Sequence, residues 1–163
     1  MKKRTLKLKS VPENIHRIEK FVEEICDEYN INNTYFGNIL VSLTEAMENA
    51  IYHGNRNDPR KNVYITFTSK PKGLMFQISD EGEGFDFNNI PDATDVQGNP
   101  EKKGTGIFLI RSLADEVHFK ENGRVIQIMF YISSINQQIA VERMNQLDSF
   151  RKTGKEIKAE KKE

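Results

Sequence analysis

The chain has no tryptophan, a single cysteine in 163 residues and only five prolines. A lone cysteine cannot close an internal disulfide, so the fold must rest on an apolar core, as suits a reducing compartment. Cys26, between Ile25 and Asp27 in a helical stretch, reads as a small packing residue rather than a nucleophile. Also lacking is any run near the ~20 apolar residues that span a bilayer, and the basic start Met-Lys-Lys-Arg-Thr-Leu-Lys-Leu-Lys has no apolar signal core. No membrane association is therefore expected, and the expected location is cytoplasmic. Charge of one sign is not in excess either, since 24 Lys+Arg balance 24 Asp+Glu. Without a global field to attract nucleic acid or an anionic surface, no direct nucleic-acid binding is expected. The partner is then a protein or a small molecule.

What is present is a chain long enough for one domain with a real core. Residues 4 to 9 alternate as Arg, Thr, Leu, Lys, Leu, Lys, a short strand with Leu6 and Leu8 on one face. A helix follows, with Pro12 in its first turn and Ile15, Ile18, Phe21, Val22 and Ile25 at spacings of three and four. The polar stretch 30 to 34 offers N-cap candidates for a second helix. There Phe36, Leu40, Leu43, Met47, Ala50 and Ile51 form the apolar stripe, and Ser42, Glu45, Asn49 and His53 run along another face. Residues 63 to 68 and 74 to 79 read as a hairpin, the second strand delivering Asp80 at its end. The segment 87 to 103 is longer than most loops of compact domains and has little periodicity, so it is either disordered or a functional lid. A helix over 104 to 113 and two strands around the turn Glu121-Asn122-Gly123 complete residues 1 to 132. The rest, 133 to 163, reads as a helical extension with the ridge Ile139, Ala140, Met144, Leu147 and Phe150, ending in a charged, frayed segment.

Three motifs in fixed order carry the chemistry. In Glu45-Ala-Met-Glu-Asn49-Ala50 the two outer polar residues are four apart and point into one cavity. Mg2+ takes oxygen ligands and typically bridges one protein oxygen to substrate phosphates; the Asn49 side-chain carbonyl can be that oxygen. Glu45, one turn earlier, can accept a proton from the hydroxyl or water that attacks a terminal phosphate. In Asp80-Glu-Gly82-Glu-Gly84-Phe85 a carboxylate ends an apolar strand, where it can accept a hydrogen bond from the adenine amino group while the glycines let backbone approach the base. The acidic residues here do not follow the calcium-loop spacing. In Gly104-Thr105-Gly106-Ile107 a glycine turn opens a helix whose free N–H groups and dipole favour phosphate, with Lys102 and Lys103 adding charge. Neither the phosphate-binding loop G-x-x-x-x-G-K-[ST] nor the dinucleotide motif G-x-G-x-x-G is matched.

These motifs resemble the N, G1 and G2 boxes of the ATPase superfamily that unites gyrase, the ninety-kilodalton heat-shock chaperone, histidine kinases and mismatch-repair ATPases. Within it, residues 4 to 132 are similar to the anti-sigma factor serine/threonine kinases, through 45 to 55, 80 to 86 and 104 to 117. The resemblance implies an α/β (α+β) two-layer sandwich, a mixed sheet with helices on one face, that binds ATP and Mg2+ beneath a lid over 87 to 103. By position it implies Glu45 as catalytic base and Asn49 as magnesium ligand. It further implies a nucleotide site of Asn49, His53, Asp80, Gly82, Gly84, Lys103, Gly104, Thr105, Gly106 and Ile107. The implied substrate is a serine on a small antagonist protein, with a sigma factor as a further partner and a homodimer as the assembly. Thr105 stands where the family varies and receives no charge-stabilising role.

Two other readings compete with a kinase. One is a non-catalytic ATP-binding module that clamps a partner, which the presence of Glu45 disfavours. The other is the ATP-binding part of a histidine kinase, but His16, His53 and His118 lack the setting of a phosphorylated histidine, and no dimerisation hairpin is expected before residue 4. Gyrase-like readings need a second domain with a catalytic lysine, for which the chain is too short.

Overall fold

The computed structural model describes residues 1–84, 103–132 and 134–153. In chain order the elements are β1 (Lys3–Lys9), α1 (Arg17–Glu28), α2 (Asn33–Asn49), β2 (Asn62–Lys70), β3 (Gly73–Ser79), α3 (Lys103–Leu113), β4 (Glu116–Lys120), β5 (Val125–Tyr131) and α4 (Ser134–Thr153). The segment 87 to 103 lies, but for Lys103, outside the described residues, as do 154 to 163 of the charged end.

The strands form one sheet in the order β1-β2-β3-β5-β4. One face is polar and the other carries the core, because alternate residues in each strand are apolar and buried. Register aligns them across the sheet: Ile65 faces Ile78, Ile78 faces Ile126, and Ile126 faces Phe119. Phe67 pairs with Phe76, and Phe76 with Ile128, in a second row. Aromatic edges tie the helical layer to this ladder, Tyr29 on Phe67 at 5.5 Å and Tyr35 on Phe130 at 6.0 Å between ring centroids.

The two-layer sandwich is as expected, but the sheet is antiparallel at every pairing rather than mixed. The connection from β3 through α3 does return β4 in the same direction as β3. β5 inserts between those two strands and pairs antiparallel to both. Adjacency, which periodicity does not encode, decides the ladder.

Helix α1 buries Ile18, Phe21, Val22, Ile25 and Cys26 against the sheet. Burial pushes the Cys26 thiol up to about 12, helped by Asp27, so it is a packed, unreactive group. Its helix begins after a separate tight turn at Pro12–Asn14. Helix α2 starts at its N-cap Asn32, whose side-chain oxygen accepts from the Tyr35 N–H at 2.8 Å. Leu43, Met47, Ala50 and Ile51 of the stripe read from sequence are buried, but the enclosed face of α2 is wider than that stripe. Tyr35, Ile39 and Ala46 are buried, whereas Phe36 and Leu40 lie at the flank. Ser42, expected on the polar face, is buried and donates its hydroxyl to the Asn38 carbonyl at 2.8 Å. The helix is covered by α3 and α4 as well as by α1 and the sheet, so more than one stripe is enclosed.

Helix α4 lies on α2 and α3, with Leu147 buried among Leu109, Leu113, Val41 and Met144. Arg143 ties it down by pairing with Asp115 at 3.0 Å and donating to the Leu113 carbonyl at 3.3 Å. Among the described residues no helix is long and apolar enough to cross a membrane.

Candidate functional site

The site forms where the C-terminal end of α2, the β3 terminus and the first turn of α3 converge. Glu45 and Asn49 lie one helical turn apart on α2, as their spacing predicts. Gly106 in the first turn of α3 sits directly over them. A Cβ there would lie 3.0 Å from Glu45 Oε2 and 3.4 Å from Asn49 Nδ2, so the missing side chain lets the two helices close. The N-terminal amides of α3 are thereby brought beside an acid and an amide.

After Asn49 the helix widens. Ala50–Gly54 form a π turn, closed by the Asn55 N–H donating to the Ala50 carbonyl at 2.8 Å. Such turns insert an extra residue and recur at functional sites. Here His53 lines a pocket with Ala46, Asn49, Asp80, Ile107, Gly123 and Arg124, among others. The turn also brings Gly54 against Asp80, where a Cβ would stand 2.3 Å from Oδ2.

Asp80 is fixed from its own backbone outward. Its N–H donates to the Arg124 carbonyl at 3.1 Å, extending the β3–β5 pairing by one step. Its Oδ1 accepts from the Gly82 N–H at 2.8 Å. Gly82 must be glycine in this geometry, because a Cβ would lie 2.0 Å from the Gly54 carbonyl oxygen. Gly84 has φ +88° and abuts the Asn122 carbonyl in the turn between β4 and β5. Asn55, almost wholly buried, staples the two halves of this wall: its Oδ1 accepts from the Glu81 N–H at 2.8 Å and its Nδ2 donates to the Asn62 carbonyl at 3.0 Å.

Burial raises the Asp80 carboxyl above its ordinary value, opposed by the Gly82 N–H and by the charges of Arg124 and Lys61. Glu45 is also raised, first by burial and then by neighbouring Glu48, while Arg151 of α4 lowers it. Two carboxyl groups on different elements are thus both desolvated, Asp80 in the pocket wall and Glu45 one turn before the pocket residue Asn49, an arrangement associated with functional sites.

The structure brings Glu45 and Asn49 to Gly106, and Asn49, His53, Asp80 and Ile107 to one pocket, with Gly82 beside them. Lys103 and Gly104 open α3, and Thr105 is exposed on it. Gly54, Asn55, Arg124 and Arg151 received no role from the sequence. Gly54 and Asn55 did stand in the stretch 45 to 55 that carried the resemblance, whereas Arg124 and Arg151 had no local signal.

Among the described residues no group of three His, Cys, Asp or Glu could hold a metal ion. A half-buried carboxylate lies beside close-approaching backbone, and the glycine-bearing first turn of α3 lies over an Asn and a Glu.

A family model described as a histidine kinase-like ATPase domain matches residues 8–130. The protein named Serine-protein kinase RsbW of Staphylococcus epidermidis is 31% identical over 100 residues, covering 56% of this chain and 63% of that protein. Its Staphylococcus aureus (strain JH9) namesake is 32% identical over 102 residues, with the same shares. That of Oceanobacillus iheyensis is 24% identical over 136 residues, covering 78% of this chain and 85% of the relative. The match thus spans less than two thirds of the staphylococcal relatives' length. A solved histidine kinase domain, from the Erythrobacter litoralis EL346 blue-light activated histidine kinase, is 16% identical with a TM-score of 0.46, covering 78% of this chain and 63% of that one.

Proposed function

Since the chain belongs to the family of histidine kinase-like ATPase domains, we propose that it is an ATP-dependent serine/threonine protein kinase of the partner-switching kind. The observation that carries this reading is the placement of Glu45, a partly buried acid, against the Gly106 turn of α3. A module that only clamped a nucleotide would have no use for a desolvated base at the phosphate end. The names of the relatives, Serine-protein kinase RsbW, support the same choice.

ATP supplies the phosphoryl group, and Mg2+ neutralises the charge that its transfer develops. Asp80 accepts a hydrogen bond from the adenine amino group, and Gly82 leaves room for the base. The first-turn amides of α3, with Lys103 at its start, bind phosphate oxygens. Asn49 offers its side-chain oxygen to the cation. Glu45 orients the attacking serine hydroxyl and takes its proton. The substrate in this reading is a small antagonist protein, with a sigma factor as the alternative partner, and the location is cytoplasmic.

The test is transfer of label from γ-labelled ATP to serine on a candidate antagonist protein. Glu45→Gln should slow transfer by roughly 10²-fold or more with ATP affinity nearly unchanged. Asn49→Ala should abolish the magnesium dependence of that affinity in calorimetry. Unchanged turnover in Glu45→Gln would assign the base to another residue, whereas a parent that transfers no label would return the protein to the clamp reading.

A further inference from the structure

We propose that Arg143, on α4, is a positioning residue for the phosphate end of the site: it grips the far end of α3 and so fixes where Gly106 and the first turn of that helix lie over Glu45 and Asn49. The inference rests on the reading of that turn as the phosphate-binding end.

Helix α3 joins two places. Its first turn lies at the site, and its last residue, Leu113, stands about 15 Å away along the axis. A helix leaves its last carbonyls without partners of its own, and Arg143 Nη1 takes up the one on Leu113 at 3.3 Å. A cation there also suits the negative end of the helix dipole. The same nitrogen pairs with Asp115 Oδ1 at 3.0 Å. Asp115 is itself held, with a side chain only 11% exposed. Its Oδ2 accepts from the Tyr131 N–H at 2.8 Å, and its own N–H donates to the Met129 carbonyl at 2.9 Å. Arg143 therefore fastens the end of α3 to a carboxylate fixed on β5.

The neighbouring residues of α4 guide α3 along its length. Leu109 and Leu113 pack with Leu147 and Met144 of α4 and with Val41 of α2. A Cβ on Gly37 would lie 3.2 Å from Met144 Cε, so α4 sits close against α2 as well. At the other end of α3 the clearance is small, since a Cβ on Gly106 would lie 3.0 Å from Glu45 Oε2. Hydrogen bonds weaken steeply with distance and angle, so a slide or tilt of α3 acts first on what its leading amides hold. The adenine end is built mostly from other elements. Asp80 is set by the Arg124 carbonyl and the Gly82 N–H, and α3 adds Ile107 to that pocket. Loosening the grip on Leu113 should thus cost ATP more than adenosine.

The test compares the two ligands on the full chain, ATP by calorimetry and adenosine by NMR titration. Arg143→Met should weaken ATP binding about tenfold, the equivalent of one charge-assisted hydrogen bond, and leave adenosine within about twofold of the parent. Arg143→Lys should restore ATP binding, because both bonds come from one nitrogen that a lysine ammonium can replace. Arg143→Gln, neutral and shorter, gives the same comparison should Arg143→Met not fold. An ATP affinity equal to the parent's would overturn the proposal and leave Arg143 as an anchor of α4. Equal loss of both ligands, no rescue by Arg143→Lys, or failure of both neutral variants to fold would overturn it too. A parent that binds ATP no more tightly than adenosine would remove the phosphate-end reading of α3 by itself, and the positioning role with it.

Discussion

An ionised Asp80 is the stronger acceptor for an amino group, and it sits where charge is disfavoured. The Gly82 N–H at 2.8 Å compensates one oxygen, while the other faces Gly54. Asp80→Asn replaces a charged acceptor by an amide that can turn a donor toward the base. It should weaken ATP binding by on the order of 1 to 3 kcal/mol, read by calorimetry. GTP, with an acceptor in place of the adenine amino donor, should bind poorly to the parent. Equal affinities for the two nucleotides would refute the adenine role. At this scale the sequence was informative, because Asp80, Glu45 and Asn49 belong to short motifs whose spacing fixes their geometry. Gly54 was not legible as a contact of Asp80. Its role arises from the π turn after Asn49, and nothing local in Ala-Ile-Tyr-His-Gly distinguishes that turn from another round of α-helix.

Elements were legible where one periodicity governed them, as in the hairpin of β2 and β3 and in α1. They were not where a tertiary neighbour decided. The stripe on α2 was read too narrow because α3 and α4 enclose flanks that a surface helix would expose, and the sheet was read as mixed because insertion of β5 is a matter of topology. The helix α4 shows the same dependence, since its ridge gains meaning only from what it covers. Leu147 is its buried anchor, closing a small cluster with Leu109 and Leu113. Leu147→Ala should therefore cost about 2 kcal/mol, the lower end for truncating a buried leucine, because this cluster lies at the margin and can relax. Denaturant unfolding measures the cost, and hydrogen exchange should show faster opening in α4 than in β3 or β5. Equal exchange in α4 of the variant and the parent would mean that Leu147 does not hold the helix.

Across the whole molecule, the two-layer plan was readable from the sequence, and motif residues Asn49, His53, Asp80 and Ile107 do meet at one pocket, while the coupling of distant segments was not readable. Asp80 depends on the Arg124 carbonyl, and the wall beside it on the Asn55 staple between Glu81 and Asn62. Such couplings leave no mark in any one window of sequence. They do leave a thermodynamic signature. Both Glu45 and Asp80 have folded values raised above their unfolded ones, chiefly by burial. A raised acid binds protons more readily folded than unfolded, so its contribution to stability is fully present below the ordinary carboxylate value and is lost as pH rises through the raised folded value. Above that window the ionisation of either group comes at the expense of the empty fold, the familiar conflict between a functional site and stability. The neutral substitutions Glu45→Gln and Asp80→Asn should each melt higher than the parent at neutral pH, and the advantage should vanish in acid where the parent's own carboxyls are protonated. Saturating ATP should reverse the order for Asp80→Asn, because binding to the folded state stabilises the parent and leaves the variant behind. Melting curves of the three proteins at several pH values, with and without nucleotide, decide the matter: a neutral-pH melting temperature lower in both variants than in the parent would show that the two carboxylates stabilise the fold.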